Sequence, residues 1–150
     1  MAKKRPYEKK AFESTGEPAD VSANLYLSML TSPAWRELTA RQQILYLYCK
    51  AQYYAEKKKP VKDNPLSFSM NQAKWREQYG LYKVNDEKSF YRDMSELILK
   101  GFVSCLMSGA NTRQKSIYAF SIKWQKYGTP DFEILPSEMT AAMLKKFIKK

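Results

Sequence analysis

The sequence predicts a mainly helical α+β domain with a small antiparallel sheet, and three observations support this prediction. From Phe90, apolar residues recur at Met94, Leu97 and Ile98, which is the three- and four-residue spacing of one helix face. Gly101 ends that pattern, and two runs rich in β-branched and aromatic residues follow it, "FVSCLM" and "SIYAFSI". A shorter alternating run, "LSFS", lies further upstream. The predicted order is helix, short strand, helix, turn, helix, strand, turn and strand.

Length and composition limit the organisation of the chain. With 150 residues, 44% of them hydrophobic, the chain can bury one core and is too short for two ordinary domains. We expect a flexible basic arm over residues 1–22, a folded domain over 23–128, and a linker with a basic amphipathic helix over 129–150.

The domain is predicted to open with helices. Apolar residues at Leu25, Leu27, Met29 and Leu30 precede a break at Pro33, and a short helical piece is predicted through Trp35 and Leu38. Thr39 followed by Gln42 matches a capping box, so a longer helix is expected from there to about Ala55. Its predicted buried positions are Ile44, Leu45, Leu47, Tyr48 and Ala51.

A strand and a second helix follow. "LSFS", residues 66–69, predicts one edge strand. Ser69 with Gln72 repeats the capping-box signal, and a helix is predicted over residues 70–79, closed by Gly80.

The third helix lies directly before the two predicted hairpin strands. Asn85 or Asp86 can cap it, and Gly101 closes it in a left-handed conformation after Lys100. The predicted inward face consists of Phe90, Met94, Leu97 and Ile98. Cap and solvent-facing positions are expected for the acidic residues Asp86, Glu87, Asp93 and Glu96.

A last helix is predicted from about Pro136. Its apolar face consists of Met139, Met143, Phe147 and Ile148. Two alternatives explain this face equally well: a homodimer formed through the C-terminal helix, or a helix folded back on its own domain.

Charge favours an anionic partner. The net charge is +11 and the pI is about 9.6, which points to nucleic acid first and a membrane surface second. From Gly101 to Pro130 there is no acidic residue. A segment whose charges are all positive favours the binding of an anionic partner over a role in solubility alone.

The sequence lacks residues that several classes of enzyme require. Without histidine, His-based triads and most catalytic zinc sites cannot form, and no glycine-rich phosphate loop is present. We therefore expect no enzyme, no cofactor, no metal and no small-molecule ligand. Cys49 and Cys105 have no paired spacing and are expected to be buried. No apolar run is long enough to span a bilayer, and a cytoplasmic location is expected.

Four stretches carry a resemblance to a known family: "LTARQQILYLY", "LSFSMNQAKWREQYGL", "SFYRDMSELILKGFVS" and "SIYAFSIKW". Together they resemble a winged helix-turn-helix DNA-binding protein over residues 38–124. More narrowly, the chain is similar to small replication initiators and replisome-organiser domains of plasmids, phages and conjugative elements, in which the helix before the wing also ends in an L-x-x-x-G-F step. The resemblance implies binding of double-stranded DNA in replication or transcriptional control of a mobile genetic element.

In this fold the third helix is the one that enters the major groove. Its predicted outward residues are Lys88, Ser89, Arg92 and Glu96. Arg92 is the predicted reader of guanine, and Ser89 and Lys88 are predicted to contact phosphate. Residues 85–100 contain three basic and four acidic residues, so a solvent face of mixed charge is the alternative.

The predicted wing loop is "SGANTRQKS". Its candidate DNA contacts, in the minor groove or on flanking phosphates, are Asn111, Thr112, Arg113 and Lys115. Tyr82 and Lys83 in the turn between the helices are further candidates, and a packed turn tyrosine is the alternative for Tyr82.

Two other functions compete with duplex binding. A winged helix can serve as a protein-protein interaction module, for which an outward Leu99 would be suited. Aromatic side chains could stack on single strands, but five of them are expected in the core instead: Trp35, Trp75, Tyr48, Tyr118 and Phe120. Tyr53 and Tyr54, near the end of their helix, are not assigned to the core.

Overall fold

The computed structural model describes residues 10–70, 73–83, 85–107 and 116–148. In chain order the elements are α1 (Leu27–Leu30), α2 (Pro33–Arg36), α3 (Ala40–Ala55), β1 (Ser67–Met70), a π helix (Ala73–Gln78), α4 (Glu87–Leu99), β2 (Val103–Met107), β3 (Ser116–Phe120), two 3₁₀ turns (Lys123–Lys126 and Pro136–Glu138) and α5 (Ala141–Ile148). The predicted α+β class is confirmed, and helical and extended segments alternate in the predicted order.

The three strands form one antiparallel sheet in the order β1-β3-β2. Tyr118 at the centre of β3 pairs with Phe68 on one side and Cys105 on the other. A register shift between Cys105 and Met107 bends β2 near its end. The predicted edge strand is confirmed one residue later than expected, at Ser67–Met70.

Helix α3 begins with the predicted capping box between Thr39 and Gln42. Of its predicted buried positions, Leu45 is confirmed and the others are wrong: Ile44 is 42% exposed, and Leu47, Tyr48 and Ala51 are only half-buried. Two glutamines occupy inward positions, and each has a hydrogen-bond partner there: Gln42 donates to Asp93, and Gln52 accepts from Tyr79. The buried side chains of the helix are Gln42, Leu45, Tyr46, Cys49 and Gln52.

The predicted helix over 70–79 is wrong at its start. Met70 belongs to β1, is buried and pairs with Ser116 of β3. Ser69 does not cap a helix, because it lies within β1; its backbone N–H and hydroxyl both donate to the Glu56 carboxylate. Gln72 lies outside the described residues. The helical part is the π helix, whose Trp75 is buried and stacks on Phe90 at 4.3 Å between ring centroids.

Helix α4 agrees with its prediction at both ends. Asp86 is the amino-terminal cap, and the four predicted inward apolar residues are buried. At the other end the N–H groups of Gly101 and Phe102 donate to the carbonyls of Ile98 and Leu97, which is a Schellman motif. Gly101 has a φ of 84°, and a Cβ there would lie 2.5 Å from the Trp124 backbone nitrogen.

The C-terminal helix packs on its own domain where its side chains are described. Met139 and Met143 are buried in the core, and Thr140 accepts a hydrogen bond from the Met143 N–H. The folded-back alternative therefore applies to this half of the helix, and the predicted homodimer stays a prediction. The side chains of Phe147 and Ile148 lie outside the description. None of the helices described has the length and apolar content needed to cross a bilayer.

Candidate nucleic-acid interface

The π helix, the turn after it and α4 form two helices joined by a turn, with α3 packed behind them. In the turn, the Asp86 N–H donates to the Lys83 carbonyl, and the Asp86 carboxylate then accepts from the Ser89 N–H to start α4. These bonds place Lys83, Lys88 and Arg92 on the turn and on the first two turns of α4. All three side chains are exposed.

A buried carboxylate anchors this region. Asp93 is 2% exposed and accepts three hydrogen bonds: from Arg41 Nε at 2.7 Å, Gln42 Nε2 at 3.1 Å and Tyr82 Oη at 2.6 Å. The predicted solvent-facing role of Asp93 is therefore wrong, and the packed-tyrosine alternative applies to Tyr82. Burial and the bond to Asp93 raise the pKa of Tyr82, so the phenol stays a donor.

Sequence reasoning missed both Asp93 and Arg41. Asp93 lies three residues after Phe90 and four before Leu97, which places it on the inward side of α4. An acidic residue at an inward position requires a buried partner, and that was the available signal. The identity of the partner could not be read, because Arg41 is 52 residues away in sequence.

Arg41 also contributes charge near the turn. Its side chain is 40% exposed, and its guanidinium carbon lies 5.2 Å from the centre of the Tyr82 ring. Hydrogen bonding from Ser89 lowers the pKa of Asp86, and the positive charges of Arg41 and Arg92 lower it further. Arg41 and Arg92 therefore lie within electrostatic reach of the same carboxylate.

Ser89 differs from its prediction. The residue is 8% exposed, so it does not belong to the outward face. Its hydroxyl accepts a hydrogen bond from Arg92 Nη2 at 3.3 Å. The helix period explains why Ser89 points inward: it lies next to Phe90 and four residues before Asp93, and both of those residues are buried. Ser89 is therefore placed to orient Arg92, and its predicted phosphate contact stays a prediction.

The structure changes the charge balance of α4. Residues 85–100 contain four acidic and three basic residues. Of the acidic residues, Asp93 is buried against Arg41, and Glu96 forms an ion pair with Lys100 at 2.6 Å. Asp86 is engaged as a cap. The count from sequence therefore overstates the acidity of the surface that Lys88 and Arg92 share.

The predicted wing contacts lie outside the described residues. These are Asn111, Thr112, Arg113 and Lys115. The strands that lead to them are in place, since β2 ends at Met107 and β3 begins at Ser116. In the acid-free segment, Lys123 is neutralised by Glu138 at 2.6 Å, whereas Lys126 is exposed.

The described residues offer no metal site and no reactive thiol. No group of three or more His, Cys, Asp or Glu side chains that could hold a metal ion occurs among them. Both cysteines are buried, as predicted. Burial raises the pKa of Cys105 to about 11 and that of Cys49 further, so neither is a thiolate at neutral pH.

No protein-family model, no curated protein and no solved structure matches this chain.

Proposed function

We propose that this chain is a non-enzymatic winged helix-turn-helix protein that binds double-stranded DNA, in replication initiation or transcriptional control of a mobile genetic element. The observation that carries the proposal is the cluster of exposed cations Lys83, Lys88 and Arg92, placed on the turn and the amino-terminal half of one helix. That part of a recognition helix contacts base edges in this class of fold.

The layout around α4 supports the same function. β1 lies between the first long helix and the π helix, and the β2-β3 hairpin follows α4, as in a winged helix. Withdrawal of Asp93 into the core removes one negative charge that would repel phosphate. In this proposal Arg92 reads a base, and Lys83, Lys88, Arg41 and the wing residues contact the backbone.

Fluorescence anisotropy with a random duplex at two salt concentrations tests the proposal. Replacing Lys83, Lys88 and Arg92 with alanine should weaken binding and reduce the salt slope by about 2–3 units, because each phosphate contact contributes roughly 0.9. The matched control removes the same charge elsewhere, with alanine at the exposed loop residues Lys57, Lys58 and Lys62.

Two results would count against the proposal. Equal losses in the two triple variants would show that only total charge matters. Absence of DNA binding by the unaltered chain at low salt would favour the second candidate, a protein-protein interaction module. The observation in favour of that candidate is Leu99, which is 38% exposed at the end of α4.

A further inference from the structure

An open cleft of about 300 Å³ lies away from the candidate DNA interface. The end of β3 and the turn that follows it form one wall, and the carboxyl-terminal half of α3 forms another. Its aromatic floor includes Tyr46, Tyr53 and Phe120. Lys83, Lys88 and Arg92 are not among the residues that line it.

Large apolar side chains of the cleft are exposed at its rim. Ile122 is 72% exposed, Tyr54 54% and Leu66 47%. Exposed apolar residues are common one at a time, but three that border one concave aromatic surface form a patch of the kind used for binding. The apolar side chains of a ligand would therefore find contacts in this cleft.

Among the described residues that line the cleft, one is charged and none is acidic. Lys50 is half-buried in its wall, where its ammonium donates to the Asn24 carbonyl at 2.7 Å and lies 5.4 Å from the Tyr46 ring centre. None of the lining residues is acidic. Within the ranges that the structure covers, Lys50 forms no ion pair. Burial in the wall of the cleft lowers the pKa of Lys50.

We propose that this cleft binds an acidic peptide segment of a partner protein. One aromatic or aliphatic side chain of the peptide enters beside Tyr53, Tyr54 and Ile122, and a flanking carboxylate pairs with Lys50. The proposal does not depend on DNA binding.

Charge separates this occupant from three others. The chain's own first ten residues carry five basic side chains, the same sign as Lys50, and a second copy carries the same net charge of +11. Single-stranded nucleic acid is bound in grooves whose cations follow several phosphates, whereas the cleft lining has a single cation. A peptide with a carboxylate beside an apolar side chain matches both the Lys50 ammonium and the aromatic surface of the cleft.

Three labelled, terminally blocked hexapeptides test the chemistry by fluorescence anisotropy. The first has Leu-Phe between pairs of aspartates, the second has Ala-Ala between the same aspartates, and the third has Leu-Phe between pairs of lysines. The first should bind at least about tenfold more tightly than either of the others. Equal binding of the Ala-Ala peptide would reduce the effect to net charge and overturn the proposal, and so would equal binding of the lysine peptide.

Substitutions inside and outside the cleft test where the peptide binds. Ile122→Ser should lose about tenfold in affinity for the acidic Leu-Phe peptide, and Lys50→Met about fivefold. Leu99→Ser and Lys88→Met are the matched controls, since they change an exposed leucine and an exposed lysine outside the cleft. Thermal melting of each variant verifies folding. Losses in the controls equal to those in the cleft variants would overturn the proposed site.

Competing occupants give their own signals. Displacement of the peptide by oligothymidylate, with a loss of oligothymidylate binding in Tyr54→Ala, would assign the cleft to single strands. Self-association that Ile122→Ser abolishes, without peptide binding, would assign it to a second copy. Either result overturns the proposal. The triple variant at Lys83, Lys88 and Arg92 should keep its peptide binding, so this proposal and the DNA-binding function fail separately.

Discussion

At the amino-terminal end of α4, polar side chains hold the helix in place together with the buried Phe90. At its carboxyl-terminal end the backbone and close packing do so. The first end has the Asp86 cap and the buried Asp93, whose partners come from α3 and from the turn. The second end has the Schellman bonds around Gly101 and the buried Leu97 and Ile98.

The difference shows how one helix can carry two tasks. The exposed cations of α4 lie at its polar end, where a hydrogen-bonded network keeps their backbone fixed without covering them. The apolar end joins α4 to the sheet through β2. Damage to the apolar end should therefore unfold the domain, and damage to the polar end should alter binding as well as stability.

The largest effect is expected at Gly101. Gly101→Ala forces a Cβ into a left-handed position 2.5 Å from the Trp124 nitrogen, so we expect a loss of about 3–4 kcal/mol in unfolding free energy. Urea denaturation measures it. Gly80→Ala is the control, because its φ is also positive, 64°, but nothing lies within 4 Å of the added Cβ. That variant should lose only about 1 kcal/mol, and equal losses would show that backbone strain alone explains both.

The next effect is expected at Asp93. Asp93→Asn removes the charge that holds Arg41 and weakens the bonds to Gln42 and Tyr82, so stability should fall by about 2–3 kcal/mol. Arg41 is 40% exposed and can be rehydrated, which limits the cost. Thermal melting measures the stability. DNA affinity measured well below the melting temperature should fall too. Unchanged affinity would show that the hydrogen bonds of Asp93 are not needed to orient α4 for DNA binding.

A smaller effect, on binding alone, is expected at Arg92. Arg92→Ala should cost about 1–3 kcal/mol on a preferred duplex and much less on random DNA, because a guanine contact with two hydrogen bonds would be lost. The melting temperature should hardly change, since the side chain is exposed. Anisotropy titrations on a selected duplex and a scrambled one give both numbers. Equal losses on the two duplexes would make Arg92 a phosphate contact.

The smallest effect concerns pH and the apolar end. Burial raises the pKa of Cys105 from 9.0 to about 11, so the folded state holds this proton while the unfolded state releases it. The resulting stability is complete below pH 9 and is lost as pH rises towards 11. The difference in unfolding free energy between the wild type and Cys105→Ala should therefore be about 1 kcal/mol smaller at pH 10 than at pH 8. A constant difference would show that the thiol does not titrate differently on folding.

Local rules determined much of this protein from its sequence. The capping box at Thr39, the Asp86 cap and the glycine stop at Gly101 depend on residues close together in the chain, and each appears where it was predicted. The hairpin strands also form, but they are shorter than the predicted runs: β2 begins at Val103 and β3 ends at Phe120. The inward apolar face of α4 was also predictable, because one helix period places those residues together.

Only the tertiary structure decided the rest, because it depends on partners far away in sequence. Asp93 is buried since Arg41 and Gln42 reach it from α3, and Met70 extends a strand rather than a helix since it pairs with Ser116. The aromatic cleft likewise combines Lys50 with residues near position 122. Periodicity shows which side of an element is apolar, but the direction of a polar side chain is set by the hydrogen-bond partner that folding brings to it.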